Sequence, residues 1–337
     1  MTQLPSPPPI AKRENVTSEQ FHGEVRKGGK PLVFRGLVAD WPLVAAGKRG
    51  DGELVTYLKS CAATRPVEAL TAPAEEGGRF FYNARLTGFN FERCEVTLGA
   101  FLDELLGVSG QSDPPAMAVQ SEIIPEVLPR LAQENRLDWL PQVAPRMWIG
   151  NRIRVAPHYD LMENVACCVA GRRRFTLFPP EEVANLYPGP FELTPAGTPV
   201  SMVDMTAPDL ATYPRFSEAW AQAQVAELAP GDALYIPYGW WHGVQSLEPV
   251  SALVNYWWSD ADPALAGAYD GLLHAIAAFR HLPPEQREVW QHMVDHYVFE
   301  KNGPPAEHLP PHARGLLGDG SPALFARLRQ MLRQVVR

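Results

Sequence analysis

The sequence contains no run of about 18 consecutive apolar residues, the length that a membrane-spanning helix needs. Its first residues, MTQLPSPPPI, also lack the basic segment followed by an apolar one that marks a secretory signal. The four cysteines include no CxxC pair, and Cys167 and Cys168 stand side by side in an apolar segment. We therefore predict a cytoplasmic protein with no membrane partner, in which the adjacent cysteines are plain core residues of a reducing compartment.

Several catalytic and nucleotide-binding motifs are absent as well. The 26 glycines form neither a GxGxxG fingerprint nor a P-loop, and no GxSxG elbow is present. These absences exclude the usual signatures of dinucleotide binding, phosphate-loop binding and α/β-hydrolase chemistry. A net charge of −8 argues against nucleic acid as the main partner, because phosphate binding needs a positive surface. Only Arg172–Arg174 could form a local basic patch.

The pattern of apolar residues, glycine and proline along the chain predicts a protein that is mainly β with flanking helices. Residues 1–116 mix helical and strand-like segments and are expected to pack on the rest of the fold. Residues 117–260 hold short apolar or alternating segments separated by glycine and proline, a pattern typical of a β-sandwich or barrel. Residues 261–337 have helical periodicity, with Asp262 as the first N-cap, and are predicted to pack on the barrel or to mediate dimerisation.

One histidine–aspartate pair stands out in the segment VAPHYDLMEN. His158 and Asp160 are two residues apart, so on a strand both side chains point to the same face. His242 ends a separate strand-like segment, YIPYGWWH, and is a third candidate ligand. Two histidines and one carboxylate form the facial triad that holds Fe(II) and leaves positions open for O₂ and a cosubstrate. The alternative from spacing alone is a buried His–Asp hydrogen-bonded pair.

Other histidines fit a metal site less well. His292 and His296 are four residues apart on a predicted helix, but Met293 stands where the zincin motif requires glutamate. We interpret both as surface or interface histidines.

Several motifs together resemble the cupin-like JmjC oxygenases. They are PLVFRGLVADWP near the start, APHYDLMEN, LFPP, PGDALYIPYGWWH and VNYWW, and the resemblance covers roughly residues 30–260. It implies a double-stranded β-helix, or jelly roll, with Fe(II) as cofactor and with 2-oxoglutarate and O₂ as cosubstrates. It also implies hydroxylation of a side chain with release of succinate and CO₂.

Carried over by position, the resemblance assigns roles to individual residues. His158, Asp160 and His242 would hold the iron and form the catalytic centre, while Asn164 and Asn255 match positions beside the cosubstrate. The positions that face the substrate are matched by Tyr82 and Gln120.

The sequence also departs from the family pattern at the cosubstrate. Arg173 stands where relatives carry the lysine that pairs with the far carboxylate of 2-oxoglutarate, and arginine can pair with a carboxylate through two hydrogen bonds. Strand alternation sends Arg172 and Arg174 outward and Arg173 inward. Val155 replaces a threonine, and a tyrosine is replaced near Met117.

These observations combine into one main hypothesis and one alternative. The main hypothesis is a homodimeric Fe(II)- and 2-oxoglutarate-dependent hydroxylase that acts on a protein side chain or a small molecule. The alternative is a metal-binding cupin that senses or binds a ligand without oxygen chemistry. We interpret the tryptophans of both late motifs, Trp240, Trp241, Trp257 and Trp258, as barrel packing.

Overall fold

The chain divides into two units, residues 1–259 and 260–337. The strands that the structure describes all lie in the first unit. The structure is a computed structural model that describes residues 4–261, 267–318 and 321–335. The strands are β1 (Lys12–Glu14), β2 (Leu32–Arg35), β3 (Pro66–Ala72), β4 (Arg79–Phe80), β5 (Glu92–Thr97), β6 (Ala116–Ile123), β7 (Pro145–Gly150), β8 (Arg154–Tyr159), β9 (Glu163–Ala170), β10 (Arg173–Phe178), β11 (Gln224–Leu228), β12 (Ala233–Ile236), β13 (Trp241–Ser246) and β14 (Ser251–Trp258).

Helices flank these strands in the first unit. The α-helical segments are Ser18–Gln20, Arg26–Gly28, Pro42–Arg49, Asp51–Cys61, Leu98–Val108, Ile124–Val127, Pro129–Glu134 and Phe216–Gln222. The first two are joined by a π-helical turn, Phe21–Val25, and single 3₁₀ turns occupy Ala74–Glu76 and Pro180–Ala184.

The last eight strands form a jelly roll. Four of them are neighbours in the order β12–β9–β14–β7, and the other four in the order β11–β10–β13–β8. Successive strands change sheet, except at β10 and β11, so the two sheets face each other with side chains between them. The predicted fold class, a mainly β jelly roll with flanking helices, is confirmed.

Strands from the first part of the chain enlarge both sheets. Beyond β12 lie β2 and β1, and beyond β7 lie β6, β3 and β5, which gives a nine-stranded sheet among the described residues. In the five-stranded sheet, β4 pairs in parallel with β8. Residues 1–116 therefore contribute strands to the jelly-roll sheets and do more than pack against them.

Alternation along β9 divides the apolar core into two layers. Val165, Cys167 and Val169 belong to the cluster that also includes side chains of the flanking helices, whereas Ala166 and Cys168 lie in the cluster shared with the facing sheet. Cys167 and Cys168 are both fully buried, so the prediction that they are core residues is confirmed. This strand reads as a continuous apolar run because both of its faces are covered.

The N-terminal strap, residues 5–14, bonds to both sheets. The backbone N–H of Ile10 donates to Val225 of β11 at 2.8 Å, and the N–H of Val225 donates to Pro8 at 2.9 Å. A few residues later β1 pairs in parallel with β2 of the large sheet. The proline-rich start is therefore extended and hydrogen-bonded where it is described.

The second unit contains three longer helices, Ala268–Phe279, Pro284–Tyr297 and Pro322–Val335, and the 3₁₀ turns Pro311–Ala313 and Gly315–Leu317. The first two helices have no buried residue. The predicted N-cap, Asp262, lies outside the described residues. Within the described ranges, no helix is both long enough and apolar enough to cross a bilayer.

Candidate metal centre

His158, Asp160 and His242 meet at one end of the jelly-roll interior. His158 on β8 and His242 on β13 are cross-strand partners, with ring centroids 4.4 Å apart, and Asp160 follows β8 directly. The candidate ligand atoms of all three lie within 4.8 Å of one another, and His242 Nε2 is 3.5 Å from Asp160 Oδ2. His242 opens β13 after a turn, whereas the sequence had placed it at the end of a strand.

Backbone carbonyls fix the orientation of both imidazole rings. The Nδ1 atom of His158 is 3.0 Å from the carbonyl of Ala156, and the Nδ1 atom of His242 is 3.1 Å from that of Trp240. A carbonyl can only accept, so each Nδ1 donates and each Nε2 keeps a free lone pair. This arrangement is how metal-binding histidines are usually oriented.

The electrostatics of the site favour neutral imidazole. Burial lowers the pKa of His158 well below its ordinary value, and the nearby His242 lowers it further. The Oδ2 atom of Asp160 is buried without a hydrogen-bond partner. Two buried imidazoles oriented through Nδ1 and one buried carboxylate oxygen are a donor set that suits Fe(II), so the residues present fit the metal that the facial triad implies.

The lowered pKa of His158 predicts a pH dependence of stability in metal-free protein. Between about pH 6.5 and about pH 4, the unfolded chain binds a proton at this position that the folded chain does not. The free energy of unfolding should therefore fall as the pH is lowered through that window. Urea denaturation with a chelator present, at a series of pH values, measures it. His158→Gln should flatten the slope relative to wild type, and an equal slope in both proteins would contradict the prediction.

A β-bulge in β8 decides which side chains face the interior. His242 pairs with His158 and Val244 with Val155, so two steps on β13 match three on β8. The extra residue reverses the alternation, and Val155 and His158 both line the interior cavity although their positions differ in parity. Ala156 instead packs with Tyr82 on the other side of the strand.

The cavity beside the triad is mostly apolar with a few converging polar groups. Its lining comprises Ala118, Val119, Gln120, Trp148, Ile149, Ile153, Val155, His158, Asp160, Asn164, Ala166, Arg173, Phe175, Pro195, Ala196, His242, Val244, Ser246, Leu253, Asn255 and Trp257. Such a composition is typical of small-molecule sites.

Arg173 is a buried cation in this cavity. Its side chain is 4% exposed, and it donates from Nε to Ser251 Oγ at 2.9 Å and from Nη2 to the carbonyls of Trp148 and Ser251 at 3.4 Å. Burial lowers the pKa of Arg173 to about 10. Among the described residues no carboxylate pairs with it, whereas Arg172 and Arg174 are paired with glutamates at the surface.

The two asparagines carried over from the family pattern both line the cavity. Asn255 accepts a hydrogen bond from Trp148 Nε1 at 2.8 Å, so its carbonyl oxygen is already used. The Oδ1 atom of Asn164 is buried without a partner. Of the two, Asn164 has the free acceptor.

Of the two residues expected to face the substrate, only Gln120 lines the cavity. Tyr82 is 4% exposed and packs in a cluster with Ala196, which is itself part of the cavity lining. Near Met117, where the sequence predicts a replaced tyrosine, Ala118 lines the cavity, whereas Met117 packs in the cluster on the other face of β6. One residue of strand register separates the two faces.

Sequence reasoning missed the part that tryptophans play in the cavity. Trp148 and Trp257 both line it, with ring centroids 5.6 Å apart, and the indole Nε1 of Trp257 is buried without a partner. Trp257 therefore lines the cavity in addition to packing against Trp148, whereas Trp241 is 2% exposed in an apolar cluster. Two residues separate Asn255 from Trp257, and strand alternation was the signal that could have placed them together.

A jelly roll with two histidines and a carboxylate directed into its interior defines a metal-binding cupin. Comparison with known proteins agrees, because the family described as the cupin-like domain matches residues 18–263. The chain therefore belongs to the cupin-like domain family.

Three known proteins have sequences similar to this chain. It is 39% identical over 278 residues to lysine-specific demethylase JMJ31 of Arabidopsis thaliana, covering 74% of this chain and 50% of the relative. It is 28% identical over 250 residues to lysine-specific demethylase 8 of Danio rerio, covering 72% and 56%. It is 28% identical over 282 residues to the human bifunctional peptidase and (3S)-lysyl hydroxylase JMJD7, covering 73% and 82%. The chain thus spans about half the length of the two demethylases.

Proposed function

We propose that this chain is an Fe(II)- and 2-oxoglutarate-dependent oxygenase that hydroxylates a protein side chain or a small molecule. The proposal rests on one observation: the His158–Asp160–His242 triad and the unpaired Arg173 share one cavity. A cation buried without a carboxylate is costly unless an anionic ligand joins it. A metal site beside an anion site is what a chelating 2-oxo acid with a second carboxylate requires.

In this proposal each group of residues has a distinct task. His158, Asp160 and His242 would hold Fe(II), which when bound supplies the redox chemistry that converts 2-oxoglutarate, O₂ and a C–H bond into succinate, CO₂ and an alcohol. Arg173 binds the far carboxylate, and Asn164 in the same lining can donate from its amide Nδ2 to an oxygen of the 2-oxo acid. The apolar lining excludes water, which strengthens these polar contacts.

A protein substrate has the better support. The relatives are named for action on lysine, two as demethylases and one as a lysyl hydroxylase. Hydroxylation of a C–H bond is the chemistry that we extend to this chain. The side chain of Gln120 and the Trp148–Trp257 pair are the cavity groups that we assign to substrate contact.

The decisive experiment follows 2-oxoglutarate turnover. Purified protein supplied with Fe(II), ascorbate and O₂ should form succinate from isotopically labelled 2-oxoglutarate, even without substrate, at a slow uncoupled rate measurable by NMR. A peptide library should then gain the mass of one oxygen atom on its substrate members. Absence of succinate, together with no calorimetric binding of 2-oxoglutarate to metal-loaded protein, would contradict the proposal and leave a ligand-binding cupin.

We also propose that the chain forms a homodimer through its C-terminal unit. Val289, Met293 and Tyr297 recur every four residues on the helix Pro284–Tyr297, and each is 44–53% exposed. Leu272 and Leu273 on the preceding helix are 44% and 41% exposed. Apolar stripes of this kind suit the self-complementary interfaces of homodimers, which are more apolar than ordinary surface.

The dimer proposal predicts a change of mass in solution. Light scattering after gel filtration should give twice the chain mass of 37.3 kDa for wild type and 37.3 kDa for the double variant Val289→Glu/Met293→Glu. Val183→Glu alters a similarly exposed residue of the first unit, at 47%, and should leave the mass unchanged. A monomeric wild type would contradict the proposal.

A further inference from the structure

Ser246 carries a buried hydroxyl without a hydrogen-bond partner in the part of the chain that the structure describes. The residue is 6% exposed, and its side chain lines the cavity of the metal centre. Leaving a buried hydroxyl unpaired costs free energy that a smaller apolar residue would avoid. Such a group at a cavity wall therefore indicates a ligand that accepts a hydrogen bond from it.

The position of Ser246 in the sheet places it beside Arg173. The two residues are direct cross-strand partners on β13 and β10. His242, Val244 and Ser246 alternate along one face of β13, and all three line the cavity. Four residues, or about 13 Å along the strand, separate the metal end from the Ser246 end. The serine thus stands next to the buried cation and away from the metal ligands.

The rest of the described cavity lining offers no other hydroxyl donor. Ala118 and Val155 face the cavity with aliphatic side chains, and among the lining residues that the structure describes only Ser246 bears a hydroxyl. Arg173 reaches the same end with a guanidinium that is hydrogen-bonded to Ser251 and to the carbonyl of Trp148 but to no carboxylate. A guanidinium and a hydroxyl donor side by side complement a carboxylate, which accepts from both.

We propose that Ser246 is a specificity-determining residue that donates its hydroxyl hydrogen bond, together with Arg173, to the terminal carboxylate of a dicarboxylic 2-oxo acid. The inference rests on the proposed function and adds to Arg173 a second residue by which the cavity distinguishes dicarboxylates from monocarboxylates. Val155 and Ala118 in the cavity wall have no hydroxyl group, so Ser246 on β13 supplies the hydroxyl donor that the carboxylate needs.

The test compares two 2-oxo acids of equal chain length. Full-length protein loaded with Mn(II), in the absence of O₂, is titrated calorimetrically with 2-oxoglutarate and with 2-oxopentanoate, which has a methyl group in place of the terminal carboxylate. Ser246→Ala should weaken 2-oxoglutarate binding about 10- to 100-fold, the range for a hydrogen bond to a charged group, and should change 2-oxopentanoate binding less than about twofold. Ser246→Thr keeps the hydroxyl and should restore most of the affinity.

Two further readouts separate this role from a structural one. Ser246→Ala removes an unpaired buried hydroxyl, so its melting temperature without ligand should equal or exceed that of wild type. Thr176→Val removes a buried hydroxyl from β10 outside the cavity and should leave the affinity for both acids unchanged. Equal loss for both acids in Ser246→Ala, or no loss for either, would overturn the inference while the proposed function stands. A wild type that binds neither acid would overturn the proposed function and this inference with it.

Discussion

Replacing His158, Asp160 or His242 singly by alanine is expected to reduce Fe(II) affinity more than about 100-fold and to abolish succinate formation. Even changes to the groups that orient metal ligands cost about 10- to 100-fold, so losing one of three ligands should cost more. The remaining two cannot recruit a substitute, because the cavity wall around them is largely apolar among the described residues.

Metal titration followed by calorimetry, together with the labelled 2-oxoglutarate assay, measures both effects. His292→Ala is the matched control, because His292 is an exposed histidine of the second unit outside the triad. It should bind metal and turn over like wild type. Retention of wild-type Fe(II) affinity by two of the three triad variants would show that the metal binds elsewhere.

Arg173→Met is expected to weaken 2-oxoglutarate binding about 10²- to 10³-fold while leaving Fe(II) affinity unchanged. Truncating one partner of a buried charge pair costs about 2–5 kcal/mol, or about 30- to 5,000-fold in affinity, and the expected loss lies within that range. Arg173→Lys keeps the charge but loses the planar fork and some reach, so its affinity should fall between those of wild type and Arg173→Met. The two variants therefore separate the contribution of charge from that of geometry.

Calorimetry and the ligand-induced rise in melting temperature both report this effect. Arg174→Met, one residue along the strand, removes an exposed arginine paired with Glu227 and should leave 2-oxoglutarate binding unchanged. If Arg173→Met bound 2-oxoglutarate as tightly as wild type, the anion site would have to lie elsewhere in the cavity.

The parts of the site that could be predicted from sequence depend on local strand geometry. The spacing of His158 and Asp160 and the inward position of Arg173 follow from two-residue alternation within short segments. The distant His242 was a third candidate from its own strand-like segment, but no local rule brings residues 82 positions apart into contact, so its convergence with Asp160 did not follow from spacing. The jelly roll itself was predictable from many short, punctuated strands.

The parts that could not be predicted depend on register and on cross-strand irregularity. Pro157 inside β8 is the residue type that a bulge accommodates, but its presence does not tell that Val155 then faces the cavity. The choice between Met117 and Ala118 depended on a single residue of register on β6. Unpaired polar atoms such as Ser246 Oγ become visible only when every neighbour has been placed.

The N-terminal strap, residues 5–14, has a consequence for the behaviour of the protein in concentrated solution. It covers the outer edge of β11 and pairs with β2, so it occupies backbone groups that would otherwise be open to another chain. Open sheet edges recruit strands from neighbouring molecules and start aggregation. The strap contains no proposed catalytic residue, but it protects these two strands from pairing with another chain. We therefore expect protease cleavage within the strap to promote self-association before it affects catalysis.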